Sequence, residues 1–192
     1  MIDLTLSGIC GYILGAIPTG VIISRLARGT DVRQQGSGHT GGLNVSRVTG
    51  FWGGAATALI DALLGLVAVV IADVAFENPW AATSAGMMAV VGHDWSILIR
   101  WGGGIGLSTL VGALFALDPL RTLGTLLIVA LFWLVLIKLL RLHRARSTIL
   151  AMLIIGPLAW LVGFVPQAIL LAALGSLVVI IKTLPDWNRQ YE

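Results

Sequence analysis

The amino-acid sequence predicts an all-α integral membrane protein with about seven transmembrane helices. Of its 192 residues, 57% are hydrophobic and only 11% are charged. An average soluble domain carries roughly 25% charged residues, so this chain has too few charges to cover a soluble surface. The net charge of +3 is too small to indicate nucleic-acid binding. We therefore expect a single transmembrane helical domain over residues 1–192.

Seven apolar runs are predicted as membrane-embedded helices, since a full span needs about 20 mostly apolar residues. Five runs are predicted as full spans: residues 4–26, 51–74, 123–140, 149–165 and 167–181. The other two, residues 81–91 and 107–117, are only about half a span long. Pro18 lies inside the first run and predicts a kink or break there.

The basic residues predict the orientation of these helices, because Lys and Arg concentrate on the cytoplasmic side. With the N-terminus outside, eleven of the twelve Lys and Arg residues lie inside, and only Arg121 lies outside. The tail, residues 182–192, is then cytoplasmic. A basic loop near residues 138–146 is interpreted as a topology signal, and its basic residues are Lys138, Arg141, His143, Arg144 and Arg146.

A glycine-rich stretch at residues 36–48 carries much of the polar chemistry of the chain. Ser37, His39, Asn44 and Arg47 stand there among four glycines. Free backbone N–H groups in such a loop form a concavity that suits an anion, and an arginine adds a planar fork that fits phosphate. We interpret the stretch as a phosphate-holding loop, and the alternative is a flexible connector between two helices.

A second polar, glycine-rich segment, residues 92–106, joins the two short apolar runs. Irregular backbone at membrane depth is tolerated only where protein or water covers it. We therefore expect the two short helices to surround a cavity open to the cytoplasm, with this segment facing the first glycine-rich stretch. Asp61, well inside the second span, is either a functional acid or a carboxylate that caps a neighbouring helix or pairs with an arginine.

Several motifs in this order resemble the bacterial acyl-phosphate:glycerol-3-phosphate acyltransferases, the PlsY family. Residues 31–47 are similar to the family's Gly-Ser-Gly-Asn-x-Gly-Ala-Thr-Asn-Val-x-Arg motif, and residues 61–65 to its Asp-x-x-Lys-Gly. Gly92-His93 and residues 101–109 are similar to its Gly-His and Phe-Lys-Gly-Gly-Lys-Gly-Val-Ala-Thr blocks. Residues 15–20 match its Gly-x-Ile-Pro start. The resemblance covers roughly residues 10–115.

The resemblance implies a membrane enzyme that moves a fatty acyl group from acyl phosphate to the 1-hydroxyl of glycerol 3-phosphate. The products are lysophosphatidic acid and phosphate, and the reaction uses no metal or other cofactor. The expected partners are the two substrates and membrane lipid, with the acyl chain between helices. The expected location is the bacterial cytoplasmic membrane.

The resemblance also implies the site residues. Ser37, Arg47 and His93 are expected to be catalytic, with Ser37 and Arg47 at phosphate-contacting positions. His93 is either a base toward the attacking hydroxyl or a structural residue bonded to a loop carbonyl, and Asn44 either orders the loop or contacts substrate. The expected substrate-binding and phosphate-binding residues are Gly36, Gly38, His39, Gly41, Asn44, Asp61, Gly103, Gly104, Gly106 and Thr109.

The chain departs from the motifs where the family has lysines. Those positions hold Leu64, Gly102 and Ile105, and the family's C-terminal His-Arg-x-Asn-Ile segment has no clear counterpart. Losing two charged hydrogen bonds to phosphate would cost about 3–6 kcal/mol, unless nearby residues such as Arg33, Arg100 or His39 compensate.

The missing lysines leave two alternatives to the enzyme. One is a non-catalytic relative that binds a phosphorylated lipid or partners an active enzyme. The other is a small transporter, which Asp61 and the two short helices would suit.

Overall fold

The computed structural model describes residues 1–189, and within them the chain forms nine α-helices. They are α1 Ile2–Gly15, α2 Thr19–Arg28, α3 Gly42–Thr49, α4 Phe51–Ala75, α5 Trp80–Asp94, α6 Leu107–Leu117, α7 Pro119–Leu134, α8 Arg144–Leu161 and α9 Pro166–Thr183. Short 3-10 turns lie at Val32–Gln34, Ile97–Ile99 and Leu184–Asp186, and a π-helical turn, Val135–Leu139, extends α7.

Within residues 1–189, five helical segments are long and apolar enough to cross a membrane. They are Ile2–Arg28, Phe51–Ala75, Pro119–Leu139, Arg144–Leu161 and Pro166–Asp186. These segments correspond to the five predicted full spans, while α5 and α6 are the predicted short helices, with 15 and 11 residues. The all-helical membrane fold is thus confirmed, whereas the count of seven crossings and their orientation stay predictions.

The first span is broken where the proline predicts it. Helix α1 ends at Gly15, and α2 begins at Thr19 directly after Pro18. The carbonyl of Ala16, left without a helical partner by the break, accepts a hydrogen bond of 2.5 Å from Ser96 Oγ. The interruption is therefore covered by the segment that follows α5, which brings the two glycine-rich regions toward each other.

Glycines set the close approach of α4 and α6, the pair of helices beside the site. A Cβ atom added to Gly112 would stand 1.8 Å from the backbone oxygen of Ala62, and one added to Gly65 would stand 2.2 Å from that of Thr109. Small residues of this kind let membrane helices pack backbone against backbone.

The structure corrects the predicted start of α8 and the predicted end of α9. Helix α8 begins at Arg144 rather than at residue 149, because the His143 ring accepts a hydrogen bond from the Ala145 N–H and caps it. The predicted tail is helical at Lys182 and then turns inward, so that Asp186 is buried. Residues 190–192 of that tail lie outside the described residues.

Candidate functional site

A cavity of about 460 Å³ lies between α3, α4, α8 and the segment that precedes α6, and we call it the polar cavity. Its lining includes Ser37 and seven residues with a charged, imidazole or amide side chain: His39, Asn44, Arg47, Asp61, His93, Arg144 and Asp186. Six of these eight, along with the lining glycines Gly41 and Gly106, are among the site residues that the motifs predict. Arg144 and Asp186 are not among them.

Asn44 orders the first glycine-rich loop. Its side-chain oxygen accepts a hydrogen bond of 3.1 Å from the Ser37 N–H. Its amide nitrogen donates to the carbonyl oxygens of Val32, Gln35 and His39, at 2.9–3.1 Å. The side chain is 3% exposed, so these bonds form in a largely dry setting. Of the two roles that the sequence leaves open, the geometry supports the ordering of the loop.

Gly36 and Gly38 shape the turn without lining the cavity. Their φ angles are +51° and +74°, in the left-handed region that glycine adopts most readily. A Cβ atom on Gly36 would stand 2.4 Å from the Asn44 side-chain oxygen. These two glycines therefore allow the turn that presents Ser37 to the cavity.

The two glycine-rich segments meet, as the sequence predicts. The Thr40 N–H donates to the Gly103 carbonyl oxygen at 3.2 Å. Gly103 and Gly104, however, do not line the polar cavity. A Cβ on Gly103 would stand 2.2 Å from the His93 carbonyl oxygen, and one on Gly104 would stand 2.1 Å from His93 Nε2. These two glycines let the chain fold against the end of α5.

Asp61 and His93 form a buried polar part of the cavity wall. Asp61 is 1% exposed and accepts a hydrogen bond from the Thr19 hydroxyl, at the start of α2. His93 is 7% exposed, and its Nδ1 lies 3.7 Å from an Asp61 oxygen, which is too long for a hydrogen bond. The carboxylate thus joins α4 to the break in the first span. Thr109 is buried against α4 and does not line the cavity.

His39 pairs with a residue from the far end of the chain. Its Nε2 lies 2.5 Å from Asp186 Oδ2, across a sequence separation of 147 residues. Both side chains line the polar cavity, and the His39 side chain is partly exposed. The pair fastens the first glycine-rich loop to the turn after α9, a contact that the motifs did not predict.

Arg33 and Arg100 do not compensate for the missing lysines, because they line a different cavity, beside α2. Asp31 lies outside the spans and binds Arg33 at 2.7 Å and Arg25 at 3.0 Å. The hydrogen bond from the Arg33 side chain holds the pKa of Asp31 well below its usual range, and the same bond raises the pKa of Arg33. Arg33 also donates to the Ile99 carbonyl oxygen at 3.0 Å, which fixes it away from the polar cavity.

A second cavity, of about 580 Å³, adjoins the polar cavity, and we call it the apolar cavity. Its lining comes chiefly from α4, α6, α7 and α8 and consists almost wholly of hydrocarbon side chains and small residues. Both cavities are lined by Ala58, Leu107, Ser108, Trp133 and Thr148. A molecule with a charged head and a hydrocarbon tail would fit across this boundary.

Comparison with known proteins places these features in context. A sequence model described as glycerol-3-phosphate acyltransferase matches residues 5–191. The glycerol-3-phosphate acyltransferase of Rubrobacter xylanophilus is 38% identical over 159 residues, which cover 81% of this chain and 75% of the relative.

Two crystal structures of the integral membrane glycerol 3-phosphate acyltransferase PlsY match the fold. Its glycerol 3-phosphate form has a TM-score of 0.82 and 28% identity. Its lysophosphatidic acid form has a TM-score of 0.78 and 26% identity. Each match covers 97% of this chain and 90% of the other.

Proposed function

Because the chain belongs to the glycerol-3-phosphate acyltransferase family, we propose that it transfers a fatty acyl group from acyl phosphate to the 1-hydroxyl of glycerol 3-phosphate. The observation that carries this proposal is the junction of the polar and apolar cavities. One side offers cationic and hydroxyl groups to phosphate, and the other offers hydrocarbon to a fatty acyl chain. Membership of the family makes the chain a membrane acyltransferase, and the acyl donor is the part that we propose.

In this reaction, the glycerol 3-phosphate hydroxyl oxygen attacks the acyl carbonyl carbon. A new ester C–O bond forms, the bond between the carbonyl carbon and the phosphate oxygen breaks, and phosphate leaves. The hydroxyl proton passes to the departing phosphate, so the products are lysophosphatidic acid and inorganic phosphate. Since acyl phosphate is already activated, the protein has mainly to align two anionic substrates and stabilise developing charge.

We assign phosphate binding to Ser37, in the loop that Asn44 orders, and to Arg47, which lines the same cavity from α3. We assign His93 a positioning role, because its Nε2 is packed against Gly104 and its ring lies between that backbone and Asp61. This assignment takes the structural alternative for the motif histidine. His39 contributes to the substrate-binding wall with Asp186 behind it.

We further propose that the protein works in the bacterial cytoplasmic membrane with the polar cavity open to the cytoplasm. The concentration of basic residues on one side of the predicted topology supports this orientation. In that arrangement, water-soluble glycerol 3-phosphate reaches the polar cavity from the cytoplasm, and the acyl chain reaches the apolar cavity from the bilayer.

The test is acyl transfer by the purified protein in detergent, with palmitoyl phosphate and radiolabelled glycerol 3-phosphate. We expect lysophosphatidic acid from the wild type and a loss of about tenfold or more in Ser37→Ala and Arg47→Ala, each of which removes a proposed phosphate contact. Ser84→Ala and Arg121→Ala are matched controls, because neither residue lines the polar cavity.

A parallel reaction with palmitoyl-CoA identifies the donor. Product from palmitoyl phosphate alone supports the proposed donor. Product from palmitoyl-CoA alone would refute that donor but leave the acyltransferase activity standing. The absence of product with either donor would refute the proposed reaction and favour a binding role.

A further inference from the structure

Two arginines line the polar cavity, Arg47 from α3 and Arg144 from the start of α8. We infer that Arg144 is a second phosphate-binding residue of this enzyme and supplies the positive charge that the chain lacks at its motif lysines. The inference rests on the proposed function, in which two phosphate-bearing substrates occupy the cavity together.

Three positions that hold lysine in the family motifs hold other residues here, and one of the three lines the polar cavity. Ile105 lines the polar cavity, whereas Leu64 and Gly102 do not. A Cβ on Gly102 would instead approach Arg33 and Ile99. Of these three positions, the one that faces the substrates therefore holds an apolar residue, Ile105. Arg144 brings a guanidinium to the same cavity from another helix.

Arg144 is available to a ligand. Within residues 1–189, its side chain makes no hydrogen bond or ion pair, and it is exposed at the cavity wall. The two acids that residues 1–189 contribute to the wall have other partners: Asp61 binds the Thr19 hydroxyl, and Asp186 binds His39. A guanidinium without a partner among the described residues, beside a cavity for phosphates, suits bidentate binding of a phosphate group.

Arg146, only two residues further, shows that this placement is specific to Arg144. The Arg146 guanidinium donates to the Trp187 carbonyl oxygen and the Asn188 side chain, and it lies 5.4 Å from the centre of the Trp187 ring. It does not line the polar cavity. The two arginines therefore share a helix and a chemistry but have different surroundings, so Arg146 provides a matched control.

The position of Arg144 in the first turn of α8 also favours phosphate binding. Ala145 and Thr148 line the polar cavity with Arg144, so the first turn of the helix faces it. The N-terminal end of an 18-residue helix carries partial positive charge, which adds to the attraction that the guanidinium exerts on an anion.

The first test compares Arg144→Ala, Arg144→Lys and Arg146→Ala in the acyl-transfer reaction, with each substrate varied in turn. We expect Arg144→Ala to raise the KM of one phosphate substrate by about tenfold or more, since it removes a charged hydrogen bond to phosphate. The substrate whose KM changes identifies the phosphate that Arg144 holds. Arg144→Lys should retain an intermediate activity, and Arg146→Ala should resemble the wild type.

The second test restores a charge from another position. Ile105→Lys brings a cation to the same cavity, so the Arg144→Ala/Ile105→Lys double variant should regain most of the lost activity. Rescue by a residue on a different segment separates the loss of charge from damage to α8. A double variant that stays as impaired as Arg144→Ala, or a single variant that resembles the wild type, would overturn the inference.

A binding measurement distinguishes failure of this inference from failure of the proposed function. Glycerol 3-phosphate and inorganic phosphate are each tested for protection of the purified protein against thermal unfolding. If the wild type shows no turnover, loss of protection in Arg144→Ala still supports the inference, and equal protection in both proteins overturns it. Equal loss in Arg144→Ala and Arg146→Ala also overturns it, because a merely structural role would then explain both.

Discussion

Asn44 holds the first glycine-rich loop together through one amide group. Three carbonyl oxygens converge on its nitrogen, and one N–H points at its oxygen. We predict that Asn44→Asp is more damaging than Asn44→Ala, because a carboxylate of the same shape would face three carbonyl oxygens without a proton to donate. Asn44→Ala should itself cost about 1–3 kcal/mol for each buried group left unpaired. Thermal unfolding and acyl transfer would be measured for both variants.

The unfolding temperatures of the two Asn44 variants discriminate between the roles that the sequence leaves open. If Asn44 served only to contact substrate, either variant would lower activity while the unfolding temperature stayed at the wild-type value. Ser46→Ala is a suitable control for the unfolding temperature, because Ser46 lies in the same helix and, among the described residues, its hydroxyl bonds only the Leu43 carbonyl oxygen. Its unfolding temperature should stay close to that of the wild type.

Asp31 makes the loop before the site sensitive to acid. Its pKa is held down by Arg33 in the folded protein, whereas an unfolded aspartate has a pKa of about 3.9. The ion pairs therefore contribute stability that is fully present above about pH 5 and is lost as the pH falls through 4 toward the folded value. We predict that Asp31→Asn lowers the unfolding temperature at pH 7 and that its difference from the wild type narrows below about pH 4. A difference that stays constant from pH 7 to pH 3 would contradict this assignment.

At the scale of single residues, local motifs predicted the loop well and remote contacts poorly. The motif spacing placed Ser37, Asn44 and Arg47 on one cavity because they belong to one short stretch. The partner of His39 lies 147 residues away, and its position depends on how α9 packs. From the sequence alone, Arg144 is interpreted as a topology signal, because basic residues near a span end have that ordinary explanation.

Helices α4 and α6 form one wall of both cavities, and their spacing depends on glycine. We predict that Gly112→Ala lowers the unfolding temperature and the rate of acyl transfer, because the added methyl group would stand 1.8 Å from the Ala62 carbonyl oxygen and push the helices apart. Gly124→Ala is the matched control. Gly124 also lies in a helix, but a Cβ there meets no atom within 4 Å.

The control variant, Gly124→Ala, has its own expected effect on stability. Alanine is favoured over glycine in a helix by about 1 kcal/mol, so Gly124→Ala should be neutral or slightly stabilising. If Gly112→Ala behaved in the same way, the close packing of α4 on α6 would not be what determines the cavity wall. Size-exclusion profiles of both variants would establish that each remains monodisperse.

At the scale of helices, hydropathy located the spans because long apolar runs have few alternatives to crossing a bilayer. The break at Pro18 was predictable, since proline removes a helical hydrogen bond. The start of α8 was not, because its first turn carries Arg144 and Arg146 and so does not resemble a span. His143 caps that turn, which is a local bond that average hydropathy does not register.

In the molecule as a whole, the polar cavity adjoins the apolar cavity, and the proposed reaction takes place at the boundary between them. Trp133 and Thr148 line both cavities. In the proposed reaction, an acyl phosphate that spans the boundary would have its head near Arg47 and its chain in the apolar cavity. The carbonyl carbon then lies near the boundary, where a hydroxyl from the polar side can reach it. Long-range packing of α7 and α8 creates this arrangement, so no single motif predicts it.

This arrangement predicts that the apolar cavity sets chain-length preference. Ala130 lines that cavity from an exposed position on α7, so Ala130→Phe narrows the cavity without entering a packed core. We expect kcat/KM for palmitoyl phosphate to fall by about tenfold, within the range by which small changes of fit alter specificity, while that for octanoyl phosphate changes little. Leu127→Phe is the control, because Leu127 is 61% exposed on the same helix and does not line the cavity. An equal loss with both donors in Ala130→Phe would place the acyl chain elsewhere, and a matching loss in Leu127→Phe would attribute the effect to the lipid-facing surface of α7.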